Sequence, residues 1–79
     1  MTLSRPVSSA VAERIGRRLG VLAHPARIRI VEVLELHGEL SVSELAERVG
    51  VSVYDASQHL ATLHAAGVVR HRRMGRLRC

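Results

Sequence analysis

Five of the last ten residues are arginine and none is acidic: Arg70, Arg72, Arg73, Arg76 and Arg78. Residues 1–69 hold the other seven arginines against seven Asp and Glu, so they cancel, and the formal charge of +5 sits wholly in residues 70–79. A local strip of guanidinium groups suits a polyanion, most simply the phosphates of a nucleic acid. The plainer reading of charge alone is a solvated tail. All twelve basic residues are arginine, a bias that codon usage can also produce.

A second group of polar residues lies upstream. Ser52, Tyr54, Ser57, Gln58 and His59 fall within eight residues. Gln can pair in a bidentate way with adenine, Ser is adaptable, and Tyr can reach a phosphate or a thymine methyl. Such contacts require these side chains to line one exposed side of a helix.

Catalytic and metal chemistry find little support. There is no Gly-rich phosphate loop, no nucleophile with a recognisable base and no evident carboxylate pair. His59 and His64 are five apart, so they point to different faces of a helix, whereas a helical metal pair needs a spacing of four. Surface or capping roles suit His24, His37, His59, His64 and His71 better. Cys79 is the only cysteine, which excludes an internal disulfide. A thiol there could sense redox state, but a small apolar role is the simpler expectation. No catalytic residue, metal site or cofactor is expected.

Several elements must position these groups. With 79 residues the chain is one small domain, and 47% hydrophobic content is enough for a core. Tyr54 is the only aromatic residue, so that core is aliphatic. Residues 1–8 read as a mobile arm. Ser9 is placed to cap a helix to about Leu22, with Val11, Ile15, Leu19 and Leu22 along one apolar face. Pro25 opens a second helix. There Ile28, Val31 and Leu34 form a stripe widened by Ile30 and Val33, which predicts a central, heavily buried helix. Gly38 is placed for a left-handed cap.

Ser41 and Glu44 match a capping box before a short helix to about Val49. Gly50-Val51-Ser52 is a turn, and Ser52 opens a further helix to about Ala66, closed by Gly67. Residues 43–66 thus have the geometry of a helix-turn-helix. Ala46 permits close helix crossing, Gly50 permits positive φ, and Leu45, Val49, Val51, Ala56, Leu60 and Leu63 can face a shared core. Residues 68–79 read as strand, turn at Met74-Gly75 and returning strand. The expected fold is mostly α with a small β-hairpin: about four helices and then a basic hairpin, or wing.

The stretch Leu22-Ala-His-Pro-Ala-Arg-Ile-Arg-Ile-Val resembles the start of the second helix in the ArsR family of winged-helix repressors. Leu40-Ser-Val-Ser-Glu-Leu-Ala-Glu, Val51-Ser52, Ala56-Ser-Gln-His-Leu-Ala-Thr-Leu and Ala66-Gly-Val-Val follow in the family's order, so the resemblance covers roughly residues 12–79. It implies a dimeric repressor that binds an inverted repeat in double-stranded DNA and is released by a metal or another signal. His59 matches a position where the family often has histidine.

Two departures stand out. The family usually completes the wing and adds a C-terminal helix, which builds the dimer interface with the first helix. This sequence stops at Cys79, partway through the wing, and is either truncated or unusually minimal. The isolated chain is expected to associate weakly, if at all, unless the first helix, with Val11, Ile15, Leu19 and Leu22, suffices as a homodimer interface. The family's common thiolate pair falls on Ser41 and Ser43, and that of another branch on Thr62 and Ala66. Soft ions need clustered thiolates, so sensing of arsenite, cadmium or lead in that manner is not expected.

The expected DNA contacts are Ser52, Tyr54, Ser57, Gln58 and His59 on the helix, and Arg72, Arg73, Arg76 and Arg78 on the wing. Arg27 and Arg29 could touch phosphate, but a structural role in the second helix is the simpler one. A protein-interaction module binding an acidic partner is the competing function. Single-stranded RNA is disfavoured by the lack of an aromatic platform, and an enzyme ranks last. No apolar run approaches the roughly 18 residues of a membrane span. Glu13, Arg14, Arg17 and Arg18 interrupt any signal-peptide core, which places the expected site of action in the cytoplasm.

Overall fold

The computed structural model describes residues 7–72 and 75–79. The order of elements is α1 (Ser9–Val21), α2 (Pro25–His37), β1 (Leu40–Ser41), α3 (Val42–Val49), α4 (Val53–Ala65), β2 (Arg70–His71) and β3 (Arg76–Arg78). This is the winged helix-turn-helix read from the sequence, with one strand more than expected.

Each helix starts at a side-chain cap. Ser8, rather than Ser9, caps α1 by accepting the Val11 amide at 3.2 Å. Ser8 therefore belongs to the helix and not to the expected arm, of which residues 1–6 lie outside the described residues. The imidazole of His24 caps α2 through Nδ1, which accepts the Ala26 amide at 3.2 Å, and Pro25 takes the first helical position. Ser41 and Glu44 form the reciprocal capping box of α3, at 3.2 and 3.0 Å. Ser52 caps α4 through the Asp55 amide at 3.0 Å. These bonds satisfy amides that the helices themselves leave unpaired.

Gly50 ends α3 in the left-handed conformation, φ 82° and ψ 34°, which lets the chain reverse into α4 within three residues. Gly38 also has positive φ, 80°, but its ψ of −61° lies outside the left-handed well expected there.

The core is aliphatic. Ile30, Leu34, Leu40, Leu45, Leu60, Leu63, Val69 and Leu77 form one buried cluster drawn from α2, β1, α3, α4, the segment after it and β3. Ala46 and Ala56 are buried at the contact of α3 with α4, where small side chains permit close approach. Val49 and Val51 are half-buried.

One expectation about burial changes. The buried face of α2 is Ala26, Ile30 and Leu34, spaced by four, while Ile28 and Leu36 stand exposed. Of the five apolar residues expected to be buried, Ile30 and Leu34 are buried and Val31 and Val33 pack half-buried against the core; only Ile28 faces solvent. Helix α1 buries no residue at all.

The wing is not an isolated hairpin. Strand β3 pairs antiparallel with β2 (Arg70 with Arg78, His71 with Leu77) and with β1 (Leu40 with Leu77, Ser41 with Arg76), giving the order β1-β3-β2. Leu77 is the central residue and is fully buried. The wing is thus fastened to the start of α3 by a strand of two residues. Met74, half of the expected turn, lies outside the described residues; Gly75 has φ 73°.

Candidate nucleic-acid interface

Helix α4 buries Ala56, Leu60 and Leu63 on one side and leaves its N-terminal outer side in solvent. There Tyr54 is 70% exposed, and its hydroxyl accepts a hydrogen bond from Gln58 Nε2 at 3.2 Å. The pair is spaced by four, so the two side chains stack along one face. Ser57 is exposed beside them. Ser52 is exposed at the cap, with its hydroxyl oxygen engaged by the Asp55 amide. Ser52, Tyr54, Ser57 and Gln58 are thus brought to one accessible surface.

His59 is placed differently. It is half-buried, and its Nδ1 accepts a bond from Arg27 Nε at 3.3 Å. Its ring lies 4.8 Å from that of His24. Burial, the nearby His24 and the Arg27 guanidinium hold its pKa below the ordinary histidine range, against a smaller opposing pull from Asp55. His59 therefore links α4 to the start of α2, and Arg27 has the structural role expected of it: its Nη1 also donates to the Val21 carbonyl at 3.3 Å.

The wing stands beside α4 across a cleft. A small cleft of about 160 Å³ is lined by Ser57 and Ala61 of α4 and by His71 and Leu77 of the wing. His71 and His64 also approach, with ring centroids 4.6 Å apart. Arg72 and Arg78 are exposed on this wing. Arg76 is only half-exposed: Nη1 pairs with Glu44 Oε1 at 3.2 Å and Nη2 donates to the Glu39 carbonyl at 3.0 Å. Arg76 thereby bolts β3 to the capping box of α3. The same Glu44 carboxylate is held below its ordinary pKa, first by the Ser41 backbone amide and then by the Ser41 hydroxyl, with a smaller contribution from Arg76. Arg73 lies outside the described residues.

The arrangement is that of a helix presenting hydrogen-bonding side chains beside a cationic strand. A model of the helix-turn-helix domain family matches residues 22–72. The crystal structure of the antimony-specific transcriptional repressor AntR superposes with a TM-score of 0.81 at 30% identity, covering 95% of this chain and 71% of that one. A homodimeric winged helix-turn-helix DNA-binding domain from Mycobacterium bovis, described as a possible ArsR-family transcriptional regulator, superposes with a TM-score of 0.80 at 27% identity, covering 96% and 74%. This chain belongs to the ArsR family. The biofilm growth-associated repressor of Xylella fastidiosa is 37% identical over 62 residues, which is 78% of this chain and 54% of that protein. The chain thus spans about half the length of such curated relatives.

Two further residues of this ArsR-family chain lie at the candidate interface. Val53, in the first turn of α4, is 51% exposed beside Tyr54 and offers an apolar surface of the kind that meets a thymine methyl. Arg70 is exposed on β2. Both had a sequence signal, Val53 in following the Ser52 cap and Arg70 in the basic run. The helical stripe of Val11, Ile15, Leu19 and Leu22 is only partly covered: Ile15 and Leu19 are 46% and 63% exposed, while Val11 and Leu22 are half-buried. Among the described residues no three His, Cys, Asp or Glu side chains gather closely enough to hold a metal ion. Cys79 packs half-buried against the core, and its Sγ donates to the Val31 carbonyl at 3.7 Å. Burial, with the Glu35 carboxylate adding to it, pushes its pKa up to about 11, so the thiol stays protonated and unreactive near neutral pH. No described helix is long and apolar enough to cross a membrane.

Proposed function

We propose that this chain is the DNA-reading part of a transcriptional repressor that binds double-stranded DNA. Helix α4 enters the major groove with Tyr54, Ser57 and Gln58 toward base edges, with Val53 beside them and Ser52 at the phosphate edge. Arg72 and Arg78 meet flanking phosphates, joined by Arg70 and Arg73. Arg76 acts mainly by holding the wing in place. His59 acts at one remove, by fixing α4 against α2. The observation that carries this reading is the approach of the wing to α4, where the His64 and His71 rings lie 4.6 Å apart and Ser57 and Ala61 share a cleft with His71 and Leu77, which puts exposed arginines beside an exposed hydrogen-bonding helix face.

A second copy of the chain covers Ile15 and Leu19, and two such units read an inverted repeat, as two-fold symmetry requires. The names of the relatives, repressors and a homodimeric DNA-binding domain, support both parts. The site of action is the cytoplasm, and no catalytic step is assigned.

The test is selection of bound genomic fragments followed by competition between the selected duplex and a random one. Gln58→Ala is expected to relax the preference by the roughly 1–3 kcal/mol of a good base contact, while non-specific affinity holds. Equal weakening on both duplexes would remove Gln58 from sequence reading.

A further inference from the structure

A groove of about 650 Å³ runs between α1 and the C-terminal half of α4. Its floor is apolar: Gly20 and Val21 from α1, Ala61 and Ala65 from α4. Two cations stand at its edge, Arg17 and Arg27, and no carboxylate lines it. Neither arginine makes an ion pair among the described residues. The groove is shallow and open, with Gly20, Ala61 and Ala65 exposed along it, and an apolar floor with a few convergent polar groups suits a small ligand.

The groove is also distinct from the surface assigned to a second copy. At about 100° per residue, Arg17, Gly20 and Val21 fall on the side of α1 opposite to Ile15 and Leu19. Pairing of two chains through the exposed stripe therefore leaves the groove open.

We propose that this groove binds a small organic anion, a monocarboxylate with a short aliphatic body. The body lies on the alanine floor, and the carboxylate bridges Arg17 and Arg27. A guanidinium has five N–H donors. Arg27 spends two of its own, Nε on His59 and one Nη1 proton on the Val21 carbonyl, which leaves donors for a charge-assisted pair. Its bond to His59 supplies a consequence. His59 belongs to α4, so a ligand that draws the guanidinium toward the groove slackens a tie between α2 and the helix assigned to DNA. On the DNA-binding reading, which this consequence rests on, the groove is an effector site.

The experiment is a titration of the 15N-labelled chain with octanoate, without DNA, followed by amide and imidazole resonances. The expected result is saturable movement of the Gly20, Ala61 and Ala65 amides together with the His59 ring nitrogens. Octanol and octylammonium should produce neither. Arg17→Gln should weaken octanoate by about tenfold, the value of one charge-assisted contact, and Arg27→Gln should also remove the His59 response. Non-saturating shifts, equal binding of octanol, or unchanged affinity in Arg17→Gln would overturn the site. So would movement of the groove amides with protein concentration instead of octanoate, since that places a second copy in the groove. Octanoate binding with an unmoved His59 would overturn the coupling. Because no DNA is present, failure here leaves duplex binding standing, and failure of duplex binding leaves this site standing.

Discussion

Helices α1 and α4 have the same length, 13 residues, and opposite fates. Helix α4 buries Ala56, Leu60 and Leu63 in the common core; α1 buries nothing and shows Ile15 and Leu19 to solvent. Both have an apolar stripe, so the difference does not lie in periodicity. It lies in whether other elements cover that stripe. Helix α4 packs against α2 and α3, with the wing approaching it at His64 and His71, and can hold its outer face rigid for recognition. Helix α1 is held at its C-terminal end, by Val21 and the cap residue Leu22 against the core and by ties such as Arg18 Nε to the Ala66 carbonyl at 3.3 Å. An amphipathic helix left in this state is suited to a partner.

The largest expected effect tests that contrast on stability. Leu63→Ala, at a fully buried site, should cost about 2–5 kcal/mol in urea unfolding. Leu19→Ala should stay within about 0.5 kcal/mol for the single chain. Comparable destabilisation by the two would mean that α1 is part of the cooperative core.

The caps sharpen the comparison at a smaller scale. Ser41→Ala removes half of the capping box and should cost about 1 kcal/mol of global stability. Ser8→Ala removes a similar bond from α1 but should change only local opening, because α1 can fray without the core unfolding. Hydrogen exchange of the α1 amides, set against the unfolding midpoint, separates the two cases.

Acid should act on the α3–α4 side. The Glu44 and His59 pKa values are both depressed in the folded chain, so the unfolded chain binds more protons as pH falls. Stability should be complete above the ordinary histidine range. It should decline first as His59 is forced to protonate, and again below the ordinary carboxylate range through Glu44. His59→Gln should remove the first decline and Glu44→Gln the second. A pH profile that neither substitution alters would contradict the two assignments.

These contrasts also explain what the sequence could reveal. Ser41 with Glu44, Ser52 and Gly50 were legible because their partners lie within four residues. The exposed side of α4 was legible because its opposite side reads as core. Strand β1 was not, since its only signal is pairing with Leu77 and Arg76 more than thirty residues away. For the same reason Arg76 read as one more free wing cation, although Glu44 and Glu39 engage it. His59 lay beside Gln58 in a polar run, and only the packing of α2 against α4 turns it inward toward Arg27. The α2 stripe misled only at Ile28, which faces solvent and not a further helix.

The central claim is that α4 and the wing act together on a DNA duplex. Its most direct test is the affinity for a selected, labelled duplex across a salt series, for the chain itself and for Arg72→Ala with Arg78→Ala. The account predicts a steep fall in affinity with salt, and a slope of log affinity against log salt that flattens by about 0.9 for each phosphate no longer neutralised. A flat dependence, or a slope unchanged by removing both arginines, would contradict it.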